Sequence, residues 1–196
     1  MDLFFAGALA FALFILYDLA SLRHRSAGIF GLFAAGCALL VWYTLRLLLE
    51  ADLPNEFLLR PFWKGAVALG ALGALGLLLY TLFFALPFDK TYLKGSAPPV
   101  IDRGMYALCR HPGVLWLGLF YGLLGLLCET RTSLLAFLWF TALDILYVWF
   151  QDAILFPKSI AGYACYQKNT PFLVPTPGSI RRACRARSKE VSRYEV

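Results

Sequence analysis

Long apolar runs separated by short polar breaks set the pattern of this chain. They extend from Leu3 to Leu22, Ala27 to Leu49, Gly65 to Leu86, Gly113 to Cys128 and Leu134 to Phe150. A helix needs roughly 20 apolar residues to cross the hydrocarbon of a bilayer, and the first three runs reach that length. The last two are shorter. They read either as a tight pair around Glu129-Thr130-Arg131-Thr132-Ser133 or as helices that continue beyond the hydrocarbon into the interface. The expected fold class is all-α: a polytopic membrane protein with five transmembrane helices and a C-terminal cytoplasmic segment. Gly65, Gly70, Gly73 and Gly76 in the third run, and Gly118 and Gly122 in the fourth, are spaced for close approach of backbones within the molecule.

Composition sharpens this. Of 196 residues, 60% are hydrophobic and 15% charged, with a mean hydropathy of +0.68, too apolar for a soluble single-core domain. The length excludes an appended soluble catalytic domain and a large twelve-helix carrier within one chain. Met1 and Asp2 supply no positive start, and no small-residue cleavage site follows, so the first run is expected to stay as a helix. Five scattered cysteines, Cys37, Cys109, Cys128, Cys165 and Cys184, contain no C-x-x-C pair and indicate free thiols, with neither a disulfide scaffold nor a zinc site.

The net charge of +6 speaks of orientation and anionic lipid, not of nucleic acid. Fourteen Lys and Arg residues, among them Arg23, Arg25, Lys90, Lys94, Arg103, Arg110 and Lys158, fall on one side of the five runs; Arg46, Arg60, Lys64 and Arg131 fall on the other. The positive-inside rule then places the N-terminus outside and the C-terminus in the cytoplasm. Residues 1–178 read as one membrane domain, and 179–196, with Arg181, Arg182, Arg185, Arg187 and Lys189, as a solvated basic tail. Asp144, inside the fifth run, carries an insertion cost of roughly 2.5 to 3.5 kcal/mol, so it is expected to face the bundle and hydrogen-bond between helices.

Two segments on the basic side are too polar for plain connectors. The first, Asp89 to Pro112, ends in Arg110-His111-Pro112, and Pro112 suits the first position of a helix. Guanidinium, imidazole and the unpaired amides of that helix start together suit an anion. The second runs from Phe150 to Pro177, with Gln151-Asp152, then Tyr163 and Tyr166 three apart, then Pro171-Phe172-Leu173-Val174-Pro175. A ligand with a carboxylate, an aromatic base and a positive centre finds partners across these two segments.

Gly104-x-Tyr106-x-x-x-Arg110-His111-Pro112, followed one helical hairpin later by an acidic position, Tyr163-x-x-Tyr166 and Phe172-x-x-Pro175, resembles the isoprenylcysteine carboxyl methyltransferase family and its phospholipid N-methyltransferase relatives. Gln151-Asp152 stands where that family usually has Glu-Glu, and Gly113-Val114-Leu115-Trp116 where x-Tyr-x-Gly often follows. The resemblance implies an integral membrane enzyme that uses S-adenosylmethionine on a lipophilic acceptor: a prenyl-cysteine carboxylate, a phospholipid amine or similar. Carried over by position, Tyr106, Arg110, His111, Pro112, Asp152, Tyr163 and Tyr166 bind the cofactor, with Asp152 and Arg110 as the catalytic residues. Two alternatives compete: an NADPH-dependent membrane reductase of sterol-reductase type, and a cofactor-binding scaffold without turnover. Transport ranks third, since Asp144 alone is polar at depth.

Overall fold

The computed structural model describes residues 2–22, 27–49, 59–85 and 100–184, and among them every regular element is helical. The helices are α1 (Asp2–Ser21), α2 (Ala27–Leu49), α3 (Pro61–Leu79), α4 (Met105–Leu108), α5 (Pro112–Leu127), α6 (Arg131–Phe150), α7 (Phe156–Ser159) and α8 (Tyr163–Asn169), with a last helix, α9, over 177–184. Single π-helical turns, Tyr80–Phe84 and Gln151–Leu155, extend α3 and α6. Three helical stretches, Gly28–Leu49, Pro61–Phe84 and Arg131–Ser159, are long and apolar enough to cross a membrane, while Gly7–Ser21 and Pro112–Leu127 are apolar but shorter. Trp42, Leu69, Leu72 and Leu146 lie exposed on α2, α3 and α6, an outer surface compatible with lipid.

Helix neighbours run α2, α1, α6, α5, α3. The α5–α6 hairpin is the centre, and Tyr121, Leu124, Ala136, Phe137 and Phe140 form its core with Leu47 of α2 and Ala71 of α3. Tyr121 stacks on Phe137 with ring centres 5.1 Å apart, and its hydroxyl meets Thr44 Oγ1 of α2 at 3.2 Å. The hairpin turn is as tight as its short spacing implies. Glu129 takes a positive φ of 56°, a conformation usually left to glycine after a helix, and Thr130 caps α6 by accepting from the Ser133 amide. Glu129 fixes that turn to the start of α3, accepting from the Leu59 amide at 2.7 Å and from Lys64 Nζ at 2.8 Å. α6 also continues through its π turn into α7, so the last run is longer as a helix than its apolar residues.

Of the glycines expected to let helices approach, two do so: a Cβ at Gly70 falls 3.3 Å from Leu123 and one at Gly118 falls 3.0 Å from Thr141. A Cβ at Gly65, Gly73, Gly76 or Gly122 meets nothing within 4 Å. The tightest positions lie elsewhere: Gly7, where a Cβ falls 2.4 Å from the Phe140 ring, Gly36 against Phe14 at 2.5 Å, and Gly125 against Leu134 at 2.7 Å. At Gly7 and Gly36 a large buried ring on the partner helix fills the space a side chain would need, and at Gly125 Leu134 does, its backbone at the start of α6 included.

Arg23, His24, Arg25, Asp89, Lys90, Lys94 and the tail residues Arg185, Arg187 and Lys189 lie outside the described residues. The chain from 177 to 184 forms α9: Ser179 is fully buried and exchanges hydrogen bonds with Thr176, while Arg181 and Arg182 are exposed and Arg182 donates to the Asn169 carbonyl. The interhelical hydrogen bonding expected of Asp144 is found instead at Asp18 of α1 (below).

Candidate functional site

The end of the bundle that carries the start of α5 also gathers the two π turns and α7, α8 and the 170–175 segment. Gly104 opens the first site segment at φ 61°, ψ −131°, and Gly162 opens α8 at φ 78°. Both are backbone states that a Cβ disfavours, and these turns aim Tyr106 and Tyr163 inward. Pro112 occupies the first turn of α5 as expected. Arg110 and His111, just before it, are clasped by the C-terminal segment, since their amides donate to the carbonyls of Pro171 at 2.9 Å and Phe172 at 3.2 Å.

At the centre Arg110 and Asp152 form a forked ion pair, Nε to Oδ1 and Nη2 to Oδ2, each 2.8 Å. Arg110 Nη1 donates to the carbonyls of Gln167 and Thr170, both at 2.8 Å. Four of the five N–H bonds of the guanidinium therefore end inside the protein. Asp152 is equally committed: Oδ1 also accepts from Tyr163 Oη at 2.6 Å and His111 Nε2 at 3.2 Å, and Oδ2 from Gln167 Nε2 at 3.2 Å. Five donors on about four lone-pair positions leave its carboxylate no free face. Because an ionised carboxylate only accepts, His111 is assigned the tautomer with Nε2 protonated. The Asp152 carbonyl, released by its π turn, accepts from Gln167 Nε2 at 2.7 Å.

Aromatic rings surround this cluster. His111 stacks on Phe156 at 6.0 Å and meets Phe172 edge-on at 5.2 Å, and the Arg110 guanidinium lies 5.7 Å over the Phe172 ring. Tyr166 donates to the Tyr106 carbonyl at 2.6 Å, and Tyr106 Oη reaches the Thr81 carbonyl at 3.3 Å in the other π turn. Burial first, and then the negative charge of Asp152, push the Tyr163 phenol far up, and burial also raises Tyr166, so both are hydrogen-bond donors and not bases. Burial raises the Cys109 thiol to about 11, which makes it an inert neighbour of the site.

All the residues expected to form the site, Tyr106, Arg110, His111, Pro112, Asp152, Tyr163 and Tyr166, thus meet at one end of the bundle. Their arrangement differs from the expected open anion fork, because Arg110 spends its geometry on Asp152 and two carbonyls. Sequence reading missed Gln167, which lies one helical turn after Tyr163 and so shares its face. It also missed the stacking rings of Phe156 and the 170–172 carbonyls, for which no residue type gives a sign. Among the described residues no cluster of three or more His, Cys, Asp or Glu is placed to hold a metal ion. No protein-family model, curated protein or solved structure matches this chain.

Proposed function

We propose that this chain is an integral membrane S-adenosylmethionine-dependent methyltransferase acting on a lipophilic acceptor, with five crossing helices (α1, α2, α3, α5 and α6), its N-terminus outside and its C-terminal segment in the cytoplasm. One observation carries the reading: the two segments whose residue order resembles the methyltransferase family, 42 positions apart at Arg110 and Asp152, close on each other in a single buried cluster.

The donors at hand fit such a cofactor. For its carboxylate there remain the second hydrogen of Arg110 Nη2 and the first amides of α5, at Gly113 and Val114, which have no acceptor within the helix. Trp116 Nε1, one turn further along α5, is buried and has no hydrogen-bond partner among the described residues. The rings of Phe156, Phe172 and Tyr106 supply faces for a purine. When bound, S-adenosylmethionine supplies a methyl group on a sulfonium, displaced in line. In this reading Arg110 gives one directed donor, and Asp152 is a positioning residue that holds Arg110, His111 and Tyr163 in place.

A scaffold without turnover is the second reading, favoured by the mutual saturation of Arg110 and Asp152, which makes the cluster self-sufficient as a clasp. Thermal unfolding of the full chain in detergent with S-adenosylmethionine or NADPH separates the possibilities. A ligand at 100 times its dissociation constant stabilises by about 2.7 kcal/mol, and the expected shift is with S-adenosylmethionine alone. A shift with NADPH alone favours the reductase, and no shift with either removes the cofactor reading. Labelled-methyl transfer to a fractionated membrane extract then tells enzyme from scaffold.

A further inference from the structure

On the other face of the same π turn lies a second polar cluster that the site above does not use. Asp18, near the end of α1, is buried at 7% exposure. Its Oδ2 accepts from Tyr147 Oη and from Gln151 Nε2, both at 2.8 Å, and Gln151 Nε2 also meets Tyr147 Oη at 2.8 Å. Both donors are neutral, and both fall on one oxygen. Among the described residues Asp18 has no ion pair and Oδ1 no hydrogen bond, yet Oδ1 is not one of the sealed, partnerless side-chain atoms, a condition met only by Trp116 Nε1. Oδ1 therefore keeps an opening to its surroundings.

A buried carboxylate with one bare oxygen, and no cation beside it among the described residues, is a costly arrangement unless a cation or a proton completes it. The groups facing it narrow the choice. From α6 come Tyr147, Gln151 and, one turn deeper on the same helix face, Asp144, a second acid and not a competing base. The Tyr147 ring lies 5.7 Å from Phe14 and 6.1 Å from Phe11, and Tyr17 sits 5.4 Å from Phe33. A bare carboxylate oxygen in such apolar surroundings repels an anion and attracts a cation more strongly than a neutral head. The outward neighbours Leu19, Leu22, Leu146 and Trp149 are exposed and apolar, so the remainder of the ligand meets a hydrocarbon-compatible surface.

We propose that Asp18, Tyr147 and Gln151 form a binding site, in the seam between α1 and α6, for the ammonium head of an amphiphile. The site is separate from the Arg110–Asp152 cluster and stands whether or not the chain transfers methyl groups.

The test uses the full chain in phosphatidylglycerol nanodiscs, titrated with dodecylamine, with dihexanoyl phosphatidylethanolamine, and with dodecanol and dihexanoyl phosphatidylglycerol as uncharged-head and amine-free controls. Tryptophan fluorescence and thermal shift are the readouts. The expected result is at least tenfold tighter binding of an amine than of its control, with dodecylamine and the phosphatidylethanolamine arms showing whether a free amine or a lipid headgroup is preferred. Asp18→Asn keeps an acceptor for Tyr147 and Gln151 but removes the charge, so it is expected to keep the melting temperature and lose tenfold or more in amine affinity. Equal binding of amines and controls by the wild-type chain overturns the proposal without any variant, and so does an Asp18→Asn chain that binds amines as the wild type does. A parallel titration with S-adenosylmethionine reports on the methyltransferase reading alone.

Discussion

Arg110 reaches across from the start of α5 to Asp152 at the end of α6 and meets it with two parallel bonds of 2.8 Å, both side chains almost withdrawn from solvent. This pair closes a loop of contacts in which α5, α6, α8 and the 170–172 strand of chain all take part. Breaking a buried pair by removing one partner leaves an uncompensated charge and is expected to destabilise by about 3 to 5 kcal/mol. Arg110→Ala or Asp152→Ala is therefore expected to lower the unfolding free energy by that amount. The double variant should recover part of the loss, because neither charge is then stranded. Arg110→Lys should fall between, since an ammonium cannot bond both oxygens and both carbonyls in one plane. Denaturant unfolding in mixed micelles, run as a double-mutant cycle, measures the coupling; additive losses would show that the pair does not act as a unit.

Much of this arrangement could be read from residue order, and some could not. The helices follow the apolar runs because each run is bounded by residues that stop a helix or start one: Pro112 opens α5 and Thr130 caps α6. The site residues were legible because Arg, His, Tyr and Asp gather in two short polar segments, 89–112 and 150–177, beside the apolar runs. What they do to each other was not legible. Nothing in the spacing says that Arg110 turns to Asp152 and not outward, since that depends on where the Gln167 and Thr170 carbonyls arrive in space. The π turn that presents Gln151 to α1 and Asp152 to α5 is likewise invisible in a sequence read at helical period, and with it the Asp18 cluster.

Glycine substitutions separate close packing from mere smallness. Gly125→Ala places a methyl 2.9 Å from the Leu134 Cα, a backbone atom that cannot give way without opening the α5–α6 hairpin. Overpacking of this kind costs about 1 to 3 kcal/mol. Gly7→Ala meets the fully buried Phe140 ring and is expected to behave similarly. Gly73→Ala, where a methyl meets nothing within 4 Å, should be neutral or raise stability by about 0.5 to 1 kcal/mol through the helix preference of alanine. Melting temperatures of the three variants in one detergent check the order, and a loss at Gly73 equal to that at Gly125 would contradict it.

Thiol chemistry reports on the closure of the site. Cys109 is 1% exposed, and burial raises its thiol to about 11, whereas Cys165 is exposed on α8. Thiolate, not thiol, reacts with alkylating reagents, so at pH 8 about one Cys109 in a thousand is in the reactive form by the ordinary titration curve. Mass spectrometry after brief maleimide treatment is expected to find Cys165 modified and Cys109 untouched. In the Arg110→Ala chain, where the 170–172 segment keeps its two amide bonds but loses the guanidinium bond to the Thr170 carbonyl, Cys109 should become more reactive. Equal labelling of Cys109 in both chains would mean that the clasp does not shield it.

At the opposite end of the bundle, Glu129 links the hairpin turn to α3 and makes that link dependent on pH. Its carboxyl is held below the ordinary value of 4.5, chiefly by the Lys64 hydrogen bond and next by the Leu59 amide. A group whose pKa is lower when folded binds its proton more tightly in the unfolded chain, so it stabilises above the unfolded value and loses that contribution as the pH falls through the folded one. Glu129→Gln should accordingly melt below the wild type at pH 7, and the gap should narrow from about pH 4.5 downward as the wild-type carboxylate is protonated. Lys64 is partly exposed, so raising the salt concentration at pH 7 should narrow the gap as well, though less, because the Leu59 amide contact is not screened. A gap that is constant from pH 7 to pH 3 would show that Glu129 acts through the shape of its turn and not through its charge.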